Sequence, residues 1–347
     1  MIDTSSQWLI QQMQQCQQGN NLWCCDENLL RQLANSEHWS HKPQFISNRW
    51  DIAQQAEQLG FSSEFNDFDL SAIADNSLDH FFYRISKEKA VTHHLINQAL
   101  RSLKPQGVLW LCGQKNEGVK TYIEKACTLF GSERKLQKDG SNYFSSIVKQ
   151  TEVNRLLDDD KYTELRPCLA IGEQLIYSKP GQFGWNKIDQ GSSFLMAEVN
   201  RRLQGQTLAS CLDLGCGYGF LSIASRGLDI NRRVLTDNNA AALLSARRNC
   251  EQLGIAAEVI ASDAGQQLQE QFDLILCNPP FHQGFSVDGD LTDKFLNGAK
   301  KLMSRQGVSY FVVNQFIPLE KKALQHFNRV TLIAHNKSFK IIELGQS

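Results

Sequence analysis

The stretch FDLILCNPPF, residues 272–281, decides how the second half of this chain folds. Its first six residues are mostly apolar and predict a buried strand from Phe272 to Cys277. Two prolines follow, and because proline lacks a backbone donor and has a fixed φ, the strand must end at Asn278. Ligands of open α/β sheets bind at the carboxyl ends of strands. The Asn278 carboxamide and the Phe281 ring are therefore expected at a ligand site.

The residues on either side of this stretch alternate between strand and helix patterns. Apolar runs separated by helical segments predict strands at Leu208–Leu214, Arg233–Thr236, Glu258–Ala261 and Val308–Val313, and a closing antiparallel pair at 330–334 and 338–344. Repeated strand–helix units favour a mainly parallel sheet covered on both faces. The second half is thus predicted to be a Rossmann-like α/β domain.

The first half of the chain shows the same order of strand-like and helix-like segments, with weaker sequence similarity between the two halves. LDHFFY at 78–83 lines up with FDLILC at 272–277, and LKPQGVLW at 103–110 has the pattern of residues 302–310. An internal duplication is therefore predicted. We expect a first domain at 1–150, a linker at 151–168 and a second domain at 169–347.

The first copy lacks the motifs of the second. It has no G-x-G loop, and RISK at 84–87 stands where the second copy has Asn-Pro-Pro-Phe. The first domain is therefore predicted to be a degenerate, non-catalytic twin with a structural or binding role. We hypothesise that Arg84 and Lys87, at the mouth of the inactive site, contact phosphate.

Composition limits the classes of protein that fit. The chain has 347 residues, enough for two cores, and its net charge of −1 means that a nucleic acid must be met by a local basic patch. The ten cysteines are scattered without a C-x-x-C pair, so neither a metal site nor a disulfide framework is expected. There is no secretory signal pattern and no apolar run long enough to span a bilayer, so we expect a cytoplasmic protein without membrane contact.

A glycine loop, DLGCGYG at 213–219, lies between a predicted strand and a predicted helix. G-x-G alone is a weak signal, since a tight strand–helix turn also explains it. Acidic residues nevertheless end the next two strands, at Asp237 and Asp263, where a carboxylate can accept hydrogen bonds from a ribose diol. A dinucleotide fold more often shows a third glycine at a spacing that is absent here. The order of loop, acids and Asn-Pro-Pro-Phe favours cofactor binding.

These motifs resemble those of S-adenosylmethionine-dependent methyltransferases. Asn-Pro-Pro-Phe is similar to the signature of enzymes that methylate planar amino or amide nitrogens, and the loop is similar to D-x-G-x-G-x-G. The resemblance implies that the loop lies against the amino-acid end of the cofactor, that Asp237 binds the ribose, and that the adenine is flanked by further residues. The implied cofactor-binding residues of these motifs are Asp213, Gly215, Cys216, Gly217, Asp237, Asn238, Asp263, Ala264 and Asn278. For Asp213, bracing of the loop is an open alternative.

The segment GQFGWNKIDQGS, residues 181–192, extends the resemblance over the second half of the chain. With the loop and Asn-Pro-Pro-Phe-His, it resembles the ribosomal RNA small-subunit methyltransferase C family, guanine-N2 methyltransferases with tandem class I domains of which only the second is active. The resemblance implies that Phe183 and Asp189 help to close over S-adenosylmethionine. From the residues alone, Asp189 and Ser192 are equally explained as helix caps. Ribosomal RNA within the small subunit is the implied partner, and a monomer is expected.

The expected chemistry is positioning of a poor nucleophile. The lone pair of a guanine amine is delocalised, and acceptance of its hydrogens by the Asn278 side chain and the Pro279 carbonyl redirects that lone pair toward the methyl donor. Phe281 is expected to stack on the base, although a core ring is the alternative. His282 is either a late base or a structural residue. The predicted catalytic residues are Asn278, Pro279, Pro280 and Phe281.

Several other functions remain open from the sequence. Large-subunit ribosomal RNA guanine, DNA adenine and protein glutamine also present planar amines that Asn-Pro-Pro-aromatic motifs serve. A factor that retains the fold but only binds RNA or ribosomal subunits is the alternative from a different class.

Overall fold

The computed structural model describes residues 3–27, 33–36, 38–150, 155–279 and 289–346. Pro280, Phe281 and His282 therefore lie outside the described residues. The chain divides into two compact units, Met1–Glu164 and Leu165–Ser347. None of the described helices is long and apolar enough to cross a membrane.

The first unit contains a seven-stranded sheet. Its strands are β1 (Asn21–Cys25), β2 (Gln44–Ser47), β3 (Ser63–Phe65), β4 (Leu78–Arg84), β5 (Leu103–Gln114), β6 (Gln137–Asp139) and β7 (Asn142–Val148), in the order β3-β2-β1-β4-β5-β7-β6. The α-helices described in it are α1 (Thr4–Gln15), α2 (Trp50–Gln58), α3 (Lys89–Ser102) and α4 (Val119–Phe130).

The second unit begins with a hairpin of β8 (Arg166–Ile171) and β9 (Gln174–Ser178). Its main sheet contains β10 (Thr207–Leu214), β11 (Asp229–Asp237), β12 (Glu258–Ala261), β13 (Phe272–Cys277), β14 (Met303–Asn314), β15 (Arg329–His335) and β16 (Phe339–Gly345), in the order β12-β11-β10-β13-β14-β16-β15. The described helices are α5 (Gln190–Leu203), α6 (Phe220–Ala224), α7 (Ala240–Gln252), α8 (Gly289–Leu302) and α9 (Leu319–Ala323).

The two main sheets have the same strand order, which confirms the predicted duplication of the fold. The agreement extends to an irregularity in register, since β4 and β5 slip between Leu78 and His80, and β13 and β14 slip between Phe272 and Leu274. The registers that follow align Val108 with Val308 and Arg84 with Asn278.

A glycine in each unit explains how this slipped register is tolerated. A Cβ added to Gly107 would lie 3.1 Å from the Leu78 carbonyl oxygen, and one added to Gly307 would lie 2.7 Å from the Phe272 carbonyl oxygen. Real Cβ atoms rarely approach another atom so closely, so the two backbones can meet here because the residue has no side chain.

Apolar strands between helical layers form the core of each unit. Leu274, Ile275, Leu276 and Cys277 of β13 are all fully buried, as expected for a central parallel strand that is covered on both faces. Most predicted elements of the second unit are present and differ at their ends by a few residues. The β8–β9 hairpin is an addition that the sequence did not reveal.

Residues in the segment that the sequence places in a linker contact the first unit. The Asn97 side chain exchanges hydrogen bonds with the Leu157 backbone, and the Tyr162 hydroxyl donates to Asp67 Oδ1 at 2.6 Å. Tyr162 is fully buried. Leu157 and Tyr162 of this segment are thus packed in the first unit, whereas residues 165–168 belong to the second unit.

Candidate active site at the carboxyl edge of the second sheet

The Asn278 carboxamide is held in one orientation by the start of α5. Its Nδ2 donates to Asp189 Oδ1 at 2.8 Å and to Ser192 Oγ at 2.7 Å. Asp189 is also the N-cap of α5 and accepts from the Ser192 backbone at 2.8 Å. An ionised carboxylate only accepts, so the amide nitrogen must face it. The Asn278 carbonyl oxygen is thereby turned away as an acceptor.

The glycine loop has three residues in the left-handed region. Gly215, Gly217 and Gly219 have φ of +79°, +55° and +89°, values that favour glycine. The Gly217 amide donates to Asp237 Oδ2 at 2.9 Å, and a Cβ added to Gly217 would meet nothing within 4 Å. Cys216 is buried, and its amide donates to the Thr236 carbonyl. The loop is therefore tied to the end of β11 while open space lies beside Gly217.

The end of β11 organises the neighbouring segments. Asp237 and Asn238 are partly exposed there, and Asp237 Oδ1 accepts from the Asn239 amide at 2.9 Å. Asn239 caps α7 and donates through Nδ2 to the Gly181 carbonyl at 2.7 Å. The structure thus brings Gly217, Asp237 and the Gly181 segment together. Asn239 was not among the predicted residues, although an asparagine before an alanine-rich helix is a recognisable cap.

Asp213 lies beneath the loop and is fully buried. Its Oδ2 accepts from the Ser222 amide at 3.0 Å and from Ser222 Oγ at 2.8 Å. Its Oδ1 has no hydrogen-bond partner among the described residues. Burial raises the pKa of Asp213 to about 7, against the hydrogen bonds from Ser222, which lower it. These contacts fit the bracing role; a direct contact with a cofactor stays a prediction.

Asp263 and Ala264 follow β12. The Asp263 carboxylate forms an ion pair with the Lys294 ammonium, and its backbone amide donates to Gln267 Oε1 at 3.0 Å. Ala264 is buried and has a left-handed φ of +46°. Lys294 lies on α8 and was not predicted, because nothing in its sequence context distinguishes it from a surface lysine.

Phe183 stands on a segment that is fixed by its neighbour. The Gln182 amide is buried and donates to Ser245 Oγ at 2.6 Å and to Ser178 Oγ at 3.1 Å. The Phe183 ring itself is 64% exposed, with the Lys187 ammonium 5.9 Å from its centroid. Closure of this ring over a cofactor stays a prediction. Pro279 is buried, and the predicted roles of Pro280, Phe281 and His282 fall outside the described residues.

The corresponding site of the first unit holds an ion-pair cluster. Arg84 is buried and contacts Asp3 at 3.1 Å and Glu117 at 2.8 Å. Burial lowers the pKa of the Arg84 guanidinium, but the two carboxylates outweigh that effect and raise it. The hypothesis that Arg84 contacts phosphate is therefore wrong, because its donors already serve these carboxylates. Lys87 is exposed.

Comparisons with known proteins agree with the duplicated fold. The family model described as "Methyltransferase small domain" matches residues 173–343, and "Methyltransferase small domain N-terminal" matches residues 6–139. Ribosomal RNA small subunit methyltransferase C of Actinobacillus succinogenes is 28% identical over 79% of this chain and 80% of that protein. The protein of the same name from Haemophilus influenzae is 27% identical over 86% of each chain.

A solved structure matches nearly the whole chain. It is the T. Thermophilus 16S rRNA N2 G1207 methyltransferase in complex with AdoMet and guanosine. The TM-score is 0.83 at 22% identity, and the match covers 99% of this chain and 92% of that one. At this identity the likeness establishes the shared fold of the two tandem units.

Proposed function

Because this chain belongs to the ribosomal RNA small subunit methyltransferase C family, we propose that it methylates the exocyclic N2 amine of a guanine in 16S ribosomal RNA. S-adenosylmethionine is the methyl donor. The observation that carries the proposal is the locked Asn278 carboxamide, whose nitrogen is occupied by Asp189 and Ser192. Its oxygen is left to accept from an amine at the carboxyl edge of the sheet.

The residues of the second unit fit the cofactor. Space beside Gly217 lets the backbone approach a ligand closely, and the partly exposed carboxylate of Asp237 suits a ribose diol. When bound, S-adenosylmethionine supplies an electrophilic methyl group on a sulfonium. The residues that would hold it are the loop residues and the residues after β11 and β12, with Phe183 over them: Gly215, Cys216, Gly217, Asp237, Asn238, Asp263 and Ala264.

Asn278 orients the nucleophile. Its carbonyl oxygen accepts one amine hydrogen and the Pro279 carbonyl accepts the other, so the nitrogen lone pair points out of the base plane. Asp189 and Ser192 act through Asn278 as positioning residues, because they prevent the carboxamide from rotating and presenting its nitrogen. No strong base is required before methyl transfer, since the amine loses its proton only as the new bond forms.

The partner we propose is 16S RNA within the small subunit, with the chain acting as a monomer. A guanine that is stacked or paired must leave its helix to meet Asn278. The second unit alone carries the reacting groups, because the equivalent site of the first unit is filled by the Arg84 cluster.

Transfer of a tritiated methyl group tests the proposal. Unmodified 16S RNA, small subunits, 23S RNA, adenine-containing DNA and a glutamine-bearing protein are offered separately, and the labelled nucleoside is identified after digestion. We expect label as N2-methylguanosine in 16S RNA, with small subunits preferred. Label in DNA or protein but in neither form of 16S RNA contradicts the proposal, and RNA binding without any transfer points to an assembly factor.

A further inference from the structure

Two aromatic side chains are exposed in the part of the chain whose side chains are described. Phe183 is 64% exposed and Phe316 is 91% exposed, while the other aromatic residues in those ranges are buried or partly buried. Single exposed apolar residues are common on proteins and need no explanation by themselves. Phe316, however, follows β14 of the main sheet, and the segment that carries Phe183 is tied through Asn239 to the end of β11 in the same sheet.

The turn that carries Phe316 is well anchored. The Gln315 amide donates to the Ser338 carbonyl at 2.8 Å, and the Ile317 amide donates to the Asn314 carbonyl at 3.0 Å. The next apolar side chains, Ile317 and Leu319, are buried. Phe316 is therefore held outward between anchored neighbours, and its exposure does not arise from a loose turn.

Phe316 follows β14, the strand that pairs with β13 and so neighbours the strand end that carries Asn278. Cys277, the residue before Asn278, pairs with Phe311, and β14 continues for three residues to Asn314 before the turn. β14 lies on one side of β13, and β10 with the glycine loop lies on the other. Phe316 thus stands on the side away from the predicted cofactor residues. Phe183 stands on the cofactor side, because its segment is tied to the end of β11 through Asn239.

A lysine lies on the segment that is hydrogen-bonded to the turn of Phe316. Lys337 is exposed and precedes Ser338, whose carbonyl accepts from Gln315. Lys340, by contrast, is buried and paired with Glu320 at 2.5 Å. An exposed ring with a neighbouring ammonium is the combination that binds single-stranded RNA, since the ring stacks on a base and the cation meets phosphate.

We propose that Phe316 is a stacking platform for an RNA base next to the methylated guanine, with Lys337 contacting the adjoining phosphate. This inference rests on the proposed function and adds the strand-guiding surface that it requires. Stacking of a base on a protein ring commonly changes affinity by about 5- to 150-fold. We therefore expect the KM for RNA to rise by a factor in that range when the ring is removed.

The test compares Phe316→Ala and Phe316→Trp with the wild-type chain in binding and methylation of 16S RNA. Leu324→Ala is the matched control, because Leu324 is an apolar residue of the same unit that is 65% exposed. Phe316→Ala should raise the RNA Kd and KM at least fivefold, with kcat at saturating RNA and cofactor affinity unchanged. Phe316→Trp should retain affinity, and its added fluorescence should be quenched by RNA.

Two failures are distinguishable. If the wild-type chain methylates RNA and Phe316→Ala binds it as tightly as Leu324→Ala does, the stacking role is wrong and the proposed function stands. If the wild-type chain methylates no RNA, the proposed function fails and the stacking role fails with it.

Discussion

The carboxyl ends of β4 and β13 occupy the same place in two copies of one fold, but they carry different side chains with different partners. In the second unit, the N-cap Asp189 and Ser192 hold the Asn278 amide. In the first unit, the N-cap Asp3 accepts from Ser6 in the same way and from Arg84 at 3.1 Å. The same helix cap thus orients a carboxamide in one copy and neutralises a buried charge in the other.

The other strand ends at the carboxyl edges of the two sheets also carry different residues. Strand registers place Trp23 where the second unit has Asp213, Cys25 where it has Gly215, and Ser47 where it has Asp237. Phe68, fully buried, stands at the position of Ala264 and shares its left-handed backbone, with φ of +53°. The two units therefore share strand register and backbone conformation but differ in the side chains after the strands. The fold depends on the strands, whereas a binding site depends on the residues that follow them.

Removal of Arg84 should give the largest effect on stability. Arg84→Met leaves the Asp3 and Glu117 carboxylates with little solvent and no guanidinium, which should cost about 3–5 kcal/mol of unfolding free energy. Denaturant unfolding measures the change. Lys104→Met, which breaks the more exposed pair with Asp79, is the control and should cost less than about 1 kcal/mol. Equal losses would contradict a buried structural role for Arg84.

The equivalent substitution in the second unit should affect chemistry instead. Asn278→Ala should lower the rate of methyl transfer on the order of 10²–10³-fold, because the acceptor for the amine is lost. Cofactor affinity, measured by calorimetry, should stay within about twofold. Normal turnover by this variant would refute the role of Asn278.

Asp213 should make the second unit depend on pH. Because its folded pKa of about 7 lies above the unfolded value of 3.8, the folded state binds the extra proton between those values. Stability should therefore fall as pH rises from 4 to 7, and Asp213→Asn should remove a cost of a few kcal/mol at neutral pH, at roughly 1.4 kcal/mol per unit. Unfolding midpoints from pH 4 to 8 measure this, and a difference between variant and wild type that does not change with pH would be the contrary result.

The smallest expected effect is on kcat, and it compares the serine that follows the N-cap aspartate in each unit. Ser192→Ala removes one of the two acceptors for Asn278 Nδ2 but keeps the backbone amide that Asp189 caps. We expect kcat to fall about tenfold with cofactor Kd unchanged. Ser6→Ala removes the equivalent hydroxyl in the first unit and should leave kcat at the wild-type value. Similar kcat values for both variants would show that Ser192 does not position Asn278.

Much of this site was predictable because its signals are local. Proline after Cys277 ends a strand whatever surrounds it, and glycines at 215, 217 and 219 indicate the left-handed backbone that the loop adopts. The contacts of Asp189 with Asn278, and of Lys294 with Asp263, could not be predicted, since each joins residues far apart in the chain through helix placement.

The sequence by itself determined the strand–helix alternation, the duplication, the family and the point at which β13 ends before Asn278, because periodicity and chain-breaking residues act over a few positions. Only the tertiary structure decided which way the Asn278 carboxamide faces and that Arg84 is neutralised by Asp3 and Glu117. Charge and hydrogen-bond partners depend on distances across the fold. A sequence motif therefore indicates which side chains are present at a site, and the packing of the fold determines what each side chain contacts.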